Sequence, residues 1–273
     1  MPMSSPIRAL EAVFALALNT FRETVRDKIL YSFVLFAFLI SWMSMLLGSL
    51  SVGQDARILQ DVGLTAISFV GGIIALFAGT NLVYKELERR TIYVIFTKPL
   101  RGWHFIAGKF LGLSACILLI VIAMGLFLSF LVLLNYSDHS LAALNAALIS
   151  VMPPVMLVFL ELLFIIAIAT FFSTFASPLM SVLYTLSLWL IGHLGDSLRQ
   201  LGQLSQNGAF AKFSEIVYFI LPDLAGLTRI RSSLMYNRNV SPEVIAYITC
   251  YVFAYVLILL VLASMVTDRR EFQ

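Results

Sequence analysis

The feature that most restricts this chain is a series of long apolar runs. A helix that crosses a bilayer needs about 20 consecutive, mostly apolar residues. Such runs fall at residues 29–50, 62–84, 108–134, 151–173, 178–195 and 244–266, five of full length and one short. Backbone polar groups find no water in hydrocarbon and must pair within the segment, so the runs are expected to be helices; the weak alternation of a membrane barrel is absent. Composition agrees: of 273 residues, 60% are hydrophobic and 12% charged, whereas a soluble domain carries about a quarter charged. The expected fold is all-α and integral to the membrane, with six transmembrane helices over 29–273 and little room for a soluble domain.

Orientation follows from the basic residues, which favour the cytoplasmic side. With the N-terminus inside, that side collects 12 of the 18 Lys and Arg: Arg8, Arg22, Arg26, Lys28, Lys85, Arg89, Arg90, Lys98, Arg101, Lys109, Arg269 and Arg270. The remaining 6 are Arg57, Arg199, Lys212, Arg229, Arg231 and Arg238. Both termini are therefore expected in the cytoplasm. A net charge of +3, spread as short clusters between apolar runs, suits anchors at lipid headgroups rather than a nucleic-acid face. The bilayer, not nucleic acid, is the expected partner.

Residues 1–28 form a separate element. In "SPIRALEAVFALALNTFRETVRDK", Ile7, Leu10, Val13, Phe14, Ala17, Leu18, Phe21 and Val25 share one helical face, and Arg8, Glu11, Asn19, Arg22 and Arg26 the other. Ser5 and Pro6 suit its cap and first turn. An amphipathic helix lying in the membrane interface is expected. A cleaved signal peptide fits poorly, because the apolar core is short and charge stands where a cleavage site would be needed.

Motifs that would carry chemistry are thin. "RGWHFIAGKF" resembles a phosphate loop, but Gly102 and Gly108 are separated by five residues and Phe110 replaces the hydroxyl that would hold magnesium. His104, His139 and His193 are scattered, and Met43 and Met45 lie inside an apolar run, so no metal site is expected. Cys116 and Cys250 both sit in apolar runs and read as small buried hydrophobes. No nucleophile, base and acid stand together. One ionisable residue lies deep in a span: Glu161, eight residues after Pro153. A carboxylate there must be paired, protonated or wetted by a cavity. It reads either as a residue lining a pathway or as a neutral acid bonded to a neighbouring helix.

Two connections are rich in information. The stretch "YKELERRTIYVIFTKPLRGWHFIAGKF" has charges at Lys85, Glu86, Glu88, Arg89 and Arg90, an apolar short helix at 92–96, and a turn marked by Pro99 and Gly102. It reads as a connector on lipid headgroups or as a docking element for a soluble partner. The connection 196–243 is too long and apolar for a plain loop. Its run from Ile216 to Leu221 is long enough to dip into the outer leaflet as a re-entrant segment ended by Pro222, so Pro222 and Asp223 mark either a gate or a cap.

These residues resemble a known family, the ABC-2 type permeases, and within it the branch of multicopper-enzyme-maturation permeases. The resemblance rests on Glu86, Thr91, "TKPL" at 97–100 and "GKFLG" at 108–112. Further parts are "FFSTFASPLMSVLYTLSLWLIGH" at 171–193 and "ILPDL" at 220–224. It implies a prokaryotic inner-membrane exporter built from two such protomers, identical or homologous. The loop 85–107 would contain the coupling helix, with Lys85, Glu86, Glu88, Arg89, Arg90, Thr91, Lys98, Pro99 and Arg101 docking onto a separate ABC ATPase subunit. ATP and Mg would then be bound by that partner, with no catalysis and no cofactor in this chain. Two other readings of the residues remain: an ion-coupled secondary transporter using Glu161, and an anchor or assembly factor for an exported enzyme.

Overall fold

The computed structural model describes residues 6–48, 55–88, 102–134, 140–204, 212, 214, 223–235 and 240–270. They form eight helices: α1 (Pro6–Val25), α2 (Lys28–Gly48), α3 (Asp55–Glu88), α4 (Gly102–Leu134), α5 (Leu141–Ser173), α6 (Pro178–Leu204), α7 (Leu224–Met235) and α8 (Pro242–Arg270). Five of them hold stretches long and apolar enough to cross a membrane, namely Arg57–Asn81, Gly102–Leu134, Leu141–Ser173, Pro178–Gly195 and Pro242–Asp268. In α2 the apolar stretch among the described side chains is the shorter Val34–Met43.

Helix α5 is the axis of the bundle. From Leu157 to Thr170 only Phe159 is not fully buried, and α3, α4, α6, α7 and α8 all pack on it. Apolar attraction between helices is weak in lipid, so close approach through small residues does much of the joining. α3 runs parallel to α5, and the register shows in the pairs that meet: Gln60 Nε2 donates to Ser150 Oγ at 3.1 Å, Ser68 meets Glu161, and Gly79 leaves room for Ala169. α4 is antiparallel to both, with Gly125 against Val155 and Gly63 against Leu128. By contrast α8 turns Tyr247, Phe253, Leu257, Ile258, Val261, Leu262 and Met265 outward, as a lipid-facing helix does.

The helix ends follow local chemistry. Ser140 caps α5 by accepting from the Ala143 N–H at 3.3 Å. At its far end Thr174 closes the turn, its hydroxyl donating to the Phe171 carbonyl at 2.7 Å, and Pro178 starts α6 as a first-turn proline. α4 begins six residues before the apolar run read from the sequence. Lys109, the second residue of that run, is only 2% exposed, with its ammonium 5.8 Å from the Phe105 ring centroid. The start of α4 is held from across the bundle, because the Gly102 N–H donates to Asp268 Oδ1, near the end of α8, at 3.0 Å. α5 also starts ten residues early and α6 runs on to Leu204, so the connection set at 196–243 is partly helical. Cys250 is exposed on α8, not buried as expected; Cys116 is buried.

α1 has the amphipathic pattern expected of it, with the apolar face split in two. Leu10, Phe14 and Leu18 are exposed as one stripe, while Val13 and Thr20 are buried. The buried stripe lies on "GKFLG" of α4: a Cβ on Gly108 would stand 2.7 Å from Leu16 Cβ, and one on Gly112 would collide with the Ala17 carbonyl oxygen and stand 2.7 Å from Thr20 Cβ. Gly108 and Gly112 thus form a G-x-x-x-G surface that lets the backbone of α1 settle on α4. Replacing Gly112 with Ala tests this by sign. Helix propensity alone favours Ala by about 1 kcal/mol, but overpacking costs about 1–3 kcal/mol, so the melting temperature of purified Gly112→Ala is expected to fall.

Candidate functional site

Glu161 is 2% exposed and lies near the middle of the apolar length of α5. Four side chains from three other helices converge on its carboxylate. Ser68 Oγ of α3 donates to Oε2 at 3.0 Å, and Trp189 Nε1 of α6 donates to Oε1 at 3.2 Å. His193, one turn further along α6, places Nε2 3.4 Å from Oε1. Arg231 of α7 brings NH1 to 3.7 Å from Oε2.

The neighbouring residues make this convergence possible. Gly71 and Gly72 follow Ser68 on α3. A Cβ on Gly72 would stand 2.8 Å from Trp189 Cζ2, and one on Gly71 2.6 Å from Leu162 Cδ1. "SFVGG" at 68–72 therefore supplies a hydroxyl to the acid and a gap for the indole that also bonds it. Trp189 and His193 are four apart, so both face α5 from one side of α6. Phe69 flanks the indole, with ring centroids 6.4 Å apart.

α7 enters this region as a short helix between α6 and α8. Asp223 caps it: Oδ1 accepts from the Gly226 N–H at 2.7 Å, and Oδ2 faces Arg229 at 3.4 Å. The Asp223 N–H donates to the hydroxyl of Tyr251, nine residues into α8, at 3.2 Å. α7 therefore starts beside the third turn of α8 and carries Arg231 to Glu161; the run Ile216 to Leu221, set as a re-entrant segment, lies outside the described residues.

Of the residues singled out in the sequence, Glu161 is at the centre of the site and Asp223 shapes the helix that delivers Arg231; Pro222 lies outside the described residues. Arg89, Arg90, Thr91, Lys98, Pro99 and Arg101 also lie outside them. Lys85, Glu86 and Glu88 belong to the last turns of α3, with their side chains outside the described set. Helix therefore occupies both edges of the loop set at 85–107, through Glu88 and from Gly102. The sequence reading gave Glu161 no partner and found no His beside an acid. Ser68, Trp189, His193 and Arg231 were missed. The Trp–His spacing of four within "SLWLIGH" was the available signal. Among the described residues no group of three His, Cys, Asp or Glu is placed to hold a metal. His104 is buried on α4, stacked on Trp103 with centroids 3.8 Å apart.

The described residues thus make an all-helical bundle with five stretches long and apolar enough to cross a membrane, and a buried carboxylate at its centre. A family model described as "ABC-2 family transporter protein" matches residues 14–268, and the chain belongs to that family. Comparison with curated proteins gives no match.

Removing the acid should cost more than removing the cluster. Glu161→Leu leaves Arg231 buried without its counter-charge, a loss of about 3–5 kcal/mol. Adding Arg231→Met to Glu161→Leu is expected to recover part of that loss in equilibrium unfolding; a strictly additive double variant would show that the two groups are not coupled.

Proposed function

We propose that the chain is the membrane-spanning, non-catalytic subunit of an ABC exporter in a prokaryotic inner membrane, driven by ATP that a separate ATPase subunit binds with Mg and hydrolyses. The observation that carries this reading is the family match over 14–268, which takes in nearly the whole chain. The basic residues of 85–109 and of both termini favour one side, the cytoplasmic one, as the side on which the ATPase docks. "TKPL" and "GKFLG" support placement in the multicopper-enzyme-maturation branch.

The helices offer a physical route for coupling. α3 continues seven residues past the end of its apolar stretch at Asn81, and α4 starts at Gly102, so the docking segment is mounted on two unbroken helices. Movement of that segment by the ATPase would pass along α3 to Ser68, Gly71 and Gly72, which touch Glu161, Leu162 and Trp189. It would thereby disturb the seat of α7. Two such protomers, identical or homologous, would enclose the path.

Replacing Glu86, Arg89 and Arg90 together is expected to weaken co-purification with the ATPase while leaving insertion into the membrane unchanged. Undiminished co-purification would remove these residues from the docking surface. A solute flux driven by a proton gradient through the reconstituted chain alone would contradict the ATP-driven reading and favour ion coupling through Glu161.

A further inference from the structure

We propose that Glu161 and His193 form a proton-binding site at mid-depth of the bundle, and that loading it with a proton loosens the seat of α7.

Both ring nitrogens of His193 face acceptors. Nδ1 is 3.1 Å from the backbone carbonyl oxygen of Trp189, and Nε2 is 3.4 Å from Glu161 Oε1. A carbonyl has no hydrogen to give, so Nδ1 carries one. Oε1 already accepts the Trp189 N–H. A neutral imidazole beside a carboxylate would then set lone pair against lone pair. The arrangement requires a proton on Nε2, held as imidazolium against a carboxylate that already accepts from Ser68 and Trp189. The pair is then neutral, and Arg231 leaves the cluster with a net charge of +1.

Such a charge inside a low-dielectric bundle is costly, and releasing the proton removes it. The groups facing the pair are few. Ser68 comes from α3, Trp189 from α6 and Arg231 from α7; α8 brings Tyr255 against Phe164, a turn away. The titratable residues of α4 are His104, Lys109 and Cys116, all in its first half. The charged side chains placed against the Glu161 carboxylate are His193 at 3.4 Å and Arg231 at 3.7 Å. When the proton is bound, His193 and Arg231 compete for one carboxylate, and as imidazolium and guanidinium they repel each other. When it is lost, Arg231 becomes the sole counter-charge of Glu161 and its hold tightens. Asp223 and Tyr251 anchor only the opposite end of α7. The occupancy of the site therefore sets how firmly the Arg231 end of α7 is held. His193 keeps 32% of its side-chain surface exposed.

Trp189 supplies a built-in reporter, since its ring centroid lies 5.9 Å from that of His193, and an imidazolium quenches excited indole far more than a neutral imidazole does. The experiment uses the full chain with Trp42→Phe and Trp103→Phe, reconstituted in nanodiscs and titrated between about pH 5 and pH 9. Trp189 emission should drop on acidification as a single-proton transition. His193→Gln should abolish the transition, and Arg231→Met should move its midpoint to higher pH, because the competing positive charge is gone. In parallel, amide exchange of Leu224–Met235, corrected for the intrinsic rate at each pH, should be faster below the midpoint than above it. In His193→Gln it should be slow at both. Emission that does not change with pH, or a transition that survives His193→Gln, would overturn the proton site. A transition with no change in α7 exchange would overturn its link to α7.

Discussion

A carboxylate in the middle of a membrane bundle cannot be left to itself, and much of this structure is arranged around satisfying Glu161. The cost of an isolated charge in hydrocarbon is several kcal/mol, more than packing around one residue returns. Glu161 therefore draws a hydroxyl from α3, an indole N–H and an imidazole from α6, and a guanidinium from α7. Each donor fixes the rotation of its own helix about its axis. A shift of one turn in any of them would leave a buried polar group without a partner.

Small residues make those rotations sterically possible. Gly71 and Gly72 let α3 approach closely enough for Ser68 to reach the acid while Leu162 and the Trp189 ring fill the space beside it. The same device recurs at the other end of the bundle, where Gly108 and Gly112 receive α1. Gly108, which looks like part of a phosphate loop in the sequence, thus belongs to a helix-packing surface. Lys109 beside it is carried into the interior next to Phe105.

What the sequence disclosed and what it hid have different physical origins. Hydropathy reports transfer into lipid, so the long apolar stretches of α3, α4, α5, α6 and α8 were legible, as was the amphipathic α1. Their ends were not. α4 extends six residues before its apolar run, and Asn145, Ser150, Pro153 and Pro154 all sit inside α5. α7 was missed because "LAGLTRIRSSLM" carries two arginines and three hydroxyls, and nothing local distinguishes it from a surface helix. Glu161 was legible as an oddity in an apolar run. Its partners lie 93 residues before it and 28, 32 and 70 after it, so only the parallel packing of α3 on α5 and the return of α7 bring them together.

α7 is seated on Glu161 through Arg231. Dipolar recoupling by solid-state NMR reads that contact directly, in lipid, on protein carrying ¹³C-labelled Glu and ¹⁵N-labelled Arg. Seating predicts dephasing of one Glu carboxyl signal consistent with the 3.7 Å separation of NH1 and Oε2, absent from Glu161→Gln and lost in Arg231→Lys, whose ammonium carries no label. A Glu161 carboxyl signal that shows no dephasing would mean that α7 does not reach the acid, and would contradict the account.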